Sequence, residues 1–97
     1  MTFTFRKKTR CFEPFIDDSE FPCYIFVILE DEELAAEFGR DVTLKTDFET
    51  LLPRQDDTPS LLALRQTIFD TLKTTVLFQQ AKAAWQERQQ PRYISSH

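Results

Sequence analysis

Apolar and polar residues alternate strictly at the start of the chain, where Phe3 and Phe5 are separated by threonine. A period of two residues is typical of a half-buried β-strand with one apolar face. The alternation either continues to Phe12 or turns at Lys7-Lys8, and we favour a first strand over roughly residues 2–10. Residues 13–22, which contain two prolines, four acids and a serine, predict a loop after it.

Residues 23–29 give the strongest strand signal, because the run Cys-Tyr-Ile-Phe-Val-Ile-Leu is apolar throughout. A continuous run indicates a strand that is central in the sheet or buried on both faces. A short helix is predicted next, with Asp31 as its N-cap and Gly39 as its stop. Residues 41–46 alternate again and predict a third strand.

The C-terminal third of the chain has helical spacing. Asp57 or Thr58 is the predicted N-cap, Pro59 takes the first helical position, and Pro91 ends the pattern. A first apolar stripe is formed by Leu61, Leu62, Leu64, Ile68, Phe69, Leu72 and Val76. A second stripe then lies on roughly the opposite side of the same helical wheel, at Leu77, Phe78, Ala81, Ala84 and Trp85.

One straight helix on one sheet cannot bury both stripes. Three explanations are open, and we rank them in the order given. The helix breaks near the β-branched pair Thr74-Thr75, its second half packs against another subunit, or residues 74–79 form a strand.

The order of elements, strands first and helices afterwards, indicates the α+β class. A length of 97 residues is that of one domain. We therefore predict a single domain over residues 1–90, with a small antiparallel sheet of three to four strands packed by a C-terminal helix or helix pair. Residues 91–97 are predicted to be a frayed tail.

Composition supports a folded chain, since 41% of the residues are hydrophobic and 29% are charged. The start of the chain has no apolar leader, and residues 23–29 are too short to span a bilayer, which predicts a cytoplasmic protein with no membrane partner. Cys11 and Cys23 are then expected to be free, buried thiols. One glycine and no asparagine argue against tight two-residue hairpins.

Residues that could carry chemistry are sparse. The acids lack the alternate spacing of calcium ligands, and the cysteines with His97 lack the close pair of a zinc site, so no metal or cofactor is predicted. His97 is the one histidine, and no catalytic residue can be assigned. An enzyme is therefore not favoured, although a small enzyme or metal-dependent protein with an unmarked site stays as a third reading.

Two surfaces remain as candidate sites. The leading hypothesis is a non-enzymatic protein-interaction or self-associating module of unknown pathway, which binds a protein partner or a second copy of itself. Its candidate interface is Val76, Leu77, Phe78, Ala81, Ala84 and Trp85. The alternative is a nucleic-acid-binding accessory protein that uses the basic strand Arg6, Lys7, Lys8 and Arg10, although the net charge of −4 opposes it.

Overall fold

A computed structural model of the chain describes residues 1–19 and 22–89. Its elements are β1 (Thr2–Phe5), β2 (Lys8–Asp17), β3 (Cys23–Leu29), α1 (Glu32–Phe38), β4 (Asp41–Thr46), α2 (Pro59–Leu72) and α3 (Val76–Gln89). The four strands form one antiparallel sheet in the order β1-β2-β3-β4. The predicted α+β class is confirmed, with a C-terminal helix pair on the sheet. The predicted tail, residues 91–97, lies outside the described residues.

A tight hairpin replaces the single strand predicted over residues 2–10. Phe5 pairs with Lys8, so Arg6 and Lys7 form a two-residue turn, with φ angles of 53° and 66°. Two positive φ values match the twist of a hairpin, at a cost of about 1–2 kcal/mol per residue without glycine. The prediction that the chain avoids such turns was wrong. Burial of the alternating phenylalanines against the helices offsets the strain.

Strand β2 continues through Pro14 to Asp17, so the loop predicted from residue 13 was wrong over this stretch. The Phe12 N–H donates to the Met1 carbonyl at 2.8 Å, towards β1. Pro14, two residues later, faces the same side, but β1 pairs only with residues 8–11. Because no described strand lies beside Pro14 there, its missing N–H breaks no ladder hydrogen bond. Residues 20–21 of the predicted loop are outside the described ranges.

Strand β3 lies inside the sheet, as predicted, but it is buried on one face only. Its inner residues are almost fully buried and are Cys23, Ile25, Val27 and Leu29. Its outer residues are half-buried or exposed and are Tyr24, Phe26 and Ile28. The described helices pack on the inner face alone, so the continuous apolar run hides an ordinary alternation.

Helix α2 contributes more buried apolar side chains to the core than either of the other described helices. The Thr58 hydroxyl accepts a hydrogen bond from Leu61 N–H at 3.2 Å, and Pro59 follows at the first helical position, as predicted. Its buried apolar side chains come from the first predicted stripe and are Leu64, Ile68, Phe69 and Leu72.

A break between α2 and α3 confirms the first-ranked explanation for the two stripes. The Thr75 hydroxyl donates to the Leu72 carbonyl at 2.6 Å and accepts from Phe78 N–H at 3.2 Å. These bonds end one helix and start the next. The turn rotates Phe78 onto the core that α2 already covers, where its ring lies 5.7 Å from those of Phe48 and Phe69.

The loop after β4 supplies the platform on which α3 packs. Phe48 has a positive φ of 71°, and its N–H donates to the Thr46 hydroxyl at 2.9 Å. Thr46 in turn donates to the Thr50 carbonyl at 2.6 Å. This turn buries Phe48 beneath α3, with its ring 5.3 Å from that of Trp85.

Candidate functional site

The outer face of the sheet, on the side away from the helices, is built from alternate residues of β2, β3 and β4. Paired residues of antiparallel strands share a face. The register gives three rows across it, Glu13–Ile28–Asp41, Phe15–Phe26–Thr43 and Asp17–Tyr24–Lys45. An aromatic row therefore lies between two rows that carry charge.

Phe15 and Phe26 are directly paired at the centre of this face and are 49% and 45% exposed. The Tyr24 ring stacks on Phe26, with centroids 6.5 Å apart and planes 15° from parallel. Ile28 extends the surface on the other side of Phe26. We call these four side chains the outer aromatic patch. A contiguous exposed apolar surface marks an interaction site more often than a single exposed residue does.

An open cleft adjoins the outer aromatic patch at the Tyr24 end. It has a volume of about 430 Å³. Its lining comes from the outer face and from the loop before α2, and consists of Tyr24, Lys45, Pro53, Arg54, Gln55 and Asp56. Aromatic, cationic and anionic groups thus converge in one concave site next to the patch.

The charges of the cleft are unevenly paired. Asp56 lies 3.2 Å from Arg65, a guanidinium that is 5% exposed and also pairs with Asp57. The hydrogen bond from Arg65 lowers the pKa of Asp56. Arg54 is held more loosely, with Nε 3.6 Å from Asp56, and the described residues give Lys45 no ion-pair partner. Lys45 and Arg54 are therefore the cations that face incoming molecules.

The predicted α3 interface is divided by the fold. Phe78 is 1% exposed in the core, and Ala81 and Trp85 pack partly buried against it. Val76 and Leu77 point outwards, with 70% and 43% exposed. Ala84 is half-buried. Two adjacent apolar residues at the start of α3 therefore remain as the exposed part of that candidate surface.

The predicted basic strand is largely paired with acids of α1. Arg6 binds Glu37 through both terminal nitrogens, at 2.6 and 2.9 Å. Lys8 lies 3.3 Å from Glu33. Each of these pairings would compete with a phosphate for the cation.

Arg10, the innermost of the four basic residues, has a side chain that is only 2% exposed. It donates to Asp31 at 3.2 Å and to Glu33 at 2.8 Å. Lys7, in the hairpin turn, is exposed and has no ion-pair partner among the described residues. One of the four cations is thus left without a carboxylate.

Other chemistry finds little support in the described residues. Cys11 is exposed, contrary to prediction, because residue 11 lies on the outer side of β2, while Cys23 is buried. Burial raises the pKa of the Cys23 thiol to about 12, which keeps it protonated and unreactive. Among residues 1–19 and 22–89, no group of three or more His, Cys, Asp or Glu could hold a metal ion. None of the described helices is long and apolar enough to cross a bilayer.

The outer aromatic patch was missed in the sequence for an identifiable reason. The loop assigned to residues 13–22 removed Phe15 from consideration, and the unbroken run of β3 hid Phe26. Phe15 and Asp17 alternate as outward-facing residues of an edge strand would, and an edge strand tolerates Pro14. That pattern would have identified Phe15 as a surface residue. Lys45 and Arg54 are nine residues apart, a separation that fits no strand or helix periodicity, so no pattern in the sequence predicts that they line one cleft.

Comparison with known proteins gives no further guidance. No protein-family model, no curated protein and no solved structure matches this chain.

Proposed function

We propose that this chain is a non-enzymatic protein-interaction module that binds its partner on the outer aromatic patch. The observation that carries the proposal is the direct pairing of Phe15 and Phe26, both nearly half exposed, on a face that none of the described helices covers. Aromatic side chains contribute most of the binding energy where partner surfaces exclude water from them.

The patch fits an interface better than the surface of α3 does. Phe15, Phe26, Tyr24 and Ile28 are contiguous and lie on a rigid sheet, so little conformational entropy is lost when they are covered. On α3 the larger rings, Phe78 and Trp85, already pack on the core. The charged groups at both ends of the patch would form a polar rim.

The partner is a protein in this proposal, and the compartment is the cytoplasm, as the sequence indicated. Self-association through Val76 and Leu77 is the second candidate. These two neighbouring apolar side chains are 70% and 43% exposed, and a second copy of the chain could cover them. Nucleic-acid binding through the basic strand Arg6, Lys7, Lys8 and Arg10 is less favoured, because the pairing of three of these cations with α1 acids would have to be broken.

Affinity capture from extract of the source organism, with nuclease treatment, tests the proposal when two matched variants are compared. The double variant Phe15→Ser/Phe26→Ser removes the centre of the patch. Val76→Ser/Leu77→Ser removes a similar exposed apolar area from α3. We expect a stoichiometric protein to be retained by the second variant and lost by the first, and the purified pair to show the same difference by calorimetry.

Two outcomes would contradict the proposal. Loss of the partner only with Val76→Ser/Leu77→Ser would move the interface to α3. Unchanged capture by both variants, with circular dichroism confirming that they are folded, would exclude both apolar surfaces. Sedimentation of the wild-type chain and both variants separates a second copy from another protein.

A further inference from the structure

We propose that the outer aromatic patch and the adjoining cleft form one site, which binds a partner segment carrying an apolar side chain next to a carboxylate. This inference rests on the proposed function and adds the chemistry of the partner. The apolar side chain would lie on Phe15 and Phe26, and the carboxylate would lie between Lys45 and Arg54.

Tyr24 joins the two parts of the site. Its ring stacks on Phe26 within the patch and also lines the cleft. Lys45 is paired with Tyr24 across β3 and β4, so their side chains leave the same face side by side. Same-face neighbours along a strand are about 6.8 Å apart. Side chains two residues apart in one extended segment share a face and could therefore reach both the patch and the cleft.

The cleft has a surplus of positive charge. Two cations line it, Lys45 and Arg54, and the buried Arg65 lies behind it. The nearby carboxylates are two, Asp56 and Asp57, and both pair with Arg65. Arg54 Nε is buried without a hydrogen-bond partner, and its 3.6 Å approach to Asp56 is too long for a good hydrogen bond. A partner carboxylate would pair with the exposed part of the Arg54 side chain, which is 30% exposed, and would neutralise Lys45.

A polyanion fits this site poorly. Glu13, Asp17 and Asp41 stand on the same face as the patch, at both of its ends. Successive phosphates of a nucleic acid would meet these carboxylates, and only two cations would attract them. A single carboxylate placed at Lys45 avoids the repulsion.

A second copy of the chain also fits poorly. The eleven outer positions of β2, β3 and β4, with two more on β1, cover a projected area of about 420 Å² at ordinary strand spacing. A stable dimer buries about 800 Å² per partner. The size suits a short segment of another protein.

Two synthetic peptides test the charge preference directly. Both are capped at each end and read Ser-Gly-Leu-Trp-X-Ser-Gly, with X as Glu in one and Lys in the other. Each is titrated into the isotope-labelled full chain, and amide chemical shifts are followed. We expect the Glu peptide to shift the amides of Tyr24, Phe26, Lys45 and Arg54, and to bind about two- to fivefold more tightly than the Lys peptide, the range of one exposed ion pair.

Reversal of a single charge provides the matched comparison. Lys45→Glu should invert the preference, so that the Lys peptide binds more tightly. Lys73→Glu changes the net charge by the same amount at the C-cap of α2, away from the outer face, and should keep the wild-type preference. Lys45→Gln should bind the two peptides about equally.

The outcomes separate this inference from the proposed function. Equal binding of both peptides, lost in Phe15→Ser/Phe26→Ser, would leave the patch as a docking surface and overturn the carboxylate site. Preference for the Lys peptide, absence of shifts with the Glu peptide, or tighter binding of an oligo(dT) probe would overturn it too. An inverted preference in Lys73→Glu as well as in Lys45→Glu would show that net charge alone sets the effect.

Discussion

The two faces of this sheet are made by the same strands, but one face is buried in the core and the other carries exposed apolar side chains. On β2, Phe12 points inwards and is fully buried, whereas Phe15, three residues later, points outwards and is 49% exposed. On β3, Ile25 and Phe26 are neighbours in sequence with the same contrast. Hydrophobicity of the residue does not distinguish them. The position of the helices decides which apolar side chains become core and which become surface.

This contrast separates stability from recognition. Inner side chains contribute to the free energy of unfolding, because their burial is completed by α2 and α3. Outer side chains contribute little until a partner covers them. A substitution should therefore affect folding on one face and binding on the other.

The largest expected effect is on the inner face. Phe12→Ala should lower the free energy of unfolding by about 3–5 kcal/mol, because it leaves a cavity in a close-packed core. Phe15→Ala on the same strand should lower it by about 1 kcal/mol or less, the range of one cross-strand pair. Urea denaturation of both variants measures the difference. Comparable losses would mean that the outer face is covered in the folded protein.

The sequence predicted the inner face well and the outer face poorly. Period-two and helical spacing identified Phe3, Phe5 and most of the first apolar stripe, because burial against a helix leaves a regular pattern. Two members of that stripe, Leu62 and Val76, are exposed instead, at 44% and 70%. Thr58 and Pro59 identified the start of α2, because caps are local signals. The outer patch leaves no such pattern, since exposure of an apolar residue is decided by what the rest of the fold fails to cover.

Two further features depend on long-range packing. The Arg6-Lys7 turn contradicts local preferences, because the register that buries the neighbouring phenylalanines requires it. The cleft joins Lys45 of a strand with Arg54 of a loop. Neither is visible in sequence spacing.

The free energy of unfolding should depend on pH through a cluster of ion pairs that we call the charged corner, formed by Lys8, Arg10, Asp31 and Glu33. Hydrogen bonds from Leu34 N–H and from Arg10 lower the pKa of Asp31, and Arg10 and Lys8 lower the pKa of Glu33. The unfolded chain therefore binds more protons in acid. Their contribution to stability is present above the unfolded pKa of about 4 and is lost as the pH falls through the lower folded values.

Urea denaturation between about pH 6 and pH 2 measures this effect, since the carboxylates change protonation within that range. Glu33→Gln should flatten the pH dependence of the free energy of unfolding. Glu13→Gln, on the outer face, removes one negative charge without removing an ion pair and serves as the control. An equally steep dependence in Glu33→Gln and wild type would show that the corner does not contribute.

A smaller effect is expected at the helix that covers the inner face. Thr58→Ala should lower the free energy of unfolding by about 1 kcal/mol, because the Leu61 N–H loses its acceptor at the start of α2. Thr58→Ser keeps the hydroxyl and should stay close to wild type. Peptide binding at the outer patch should be unchanged in both, and a binding defect would show that the two faces are coupled.

The smallest effect is expected in the hairpin that assigns residues to the two faces. Lys7→Gly should raise the free energy of unfolding by less than about 1 kcal/mol, since glycine relieves the positive φ but also gains freedom in the unfolded chain. Thr9→Gly, in the following strand, should lower it by about 0.5–1 kcal/mol, because ordinary strand backbone gains nothing from glycine. Thermal and urea unfolding measure both. If Lys7→Gly destabilised the protein as Thr9→Gly does, the turn would not be left-handed, and the register that sends Phe3 and Phe5 inwards would need another cause.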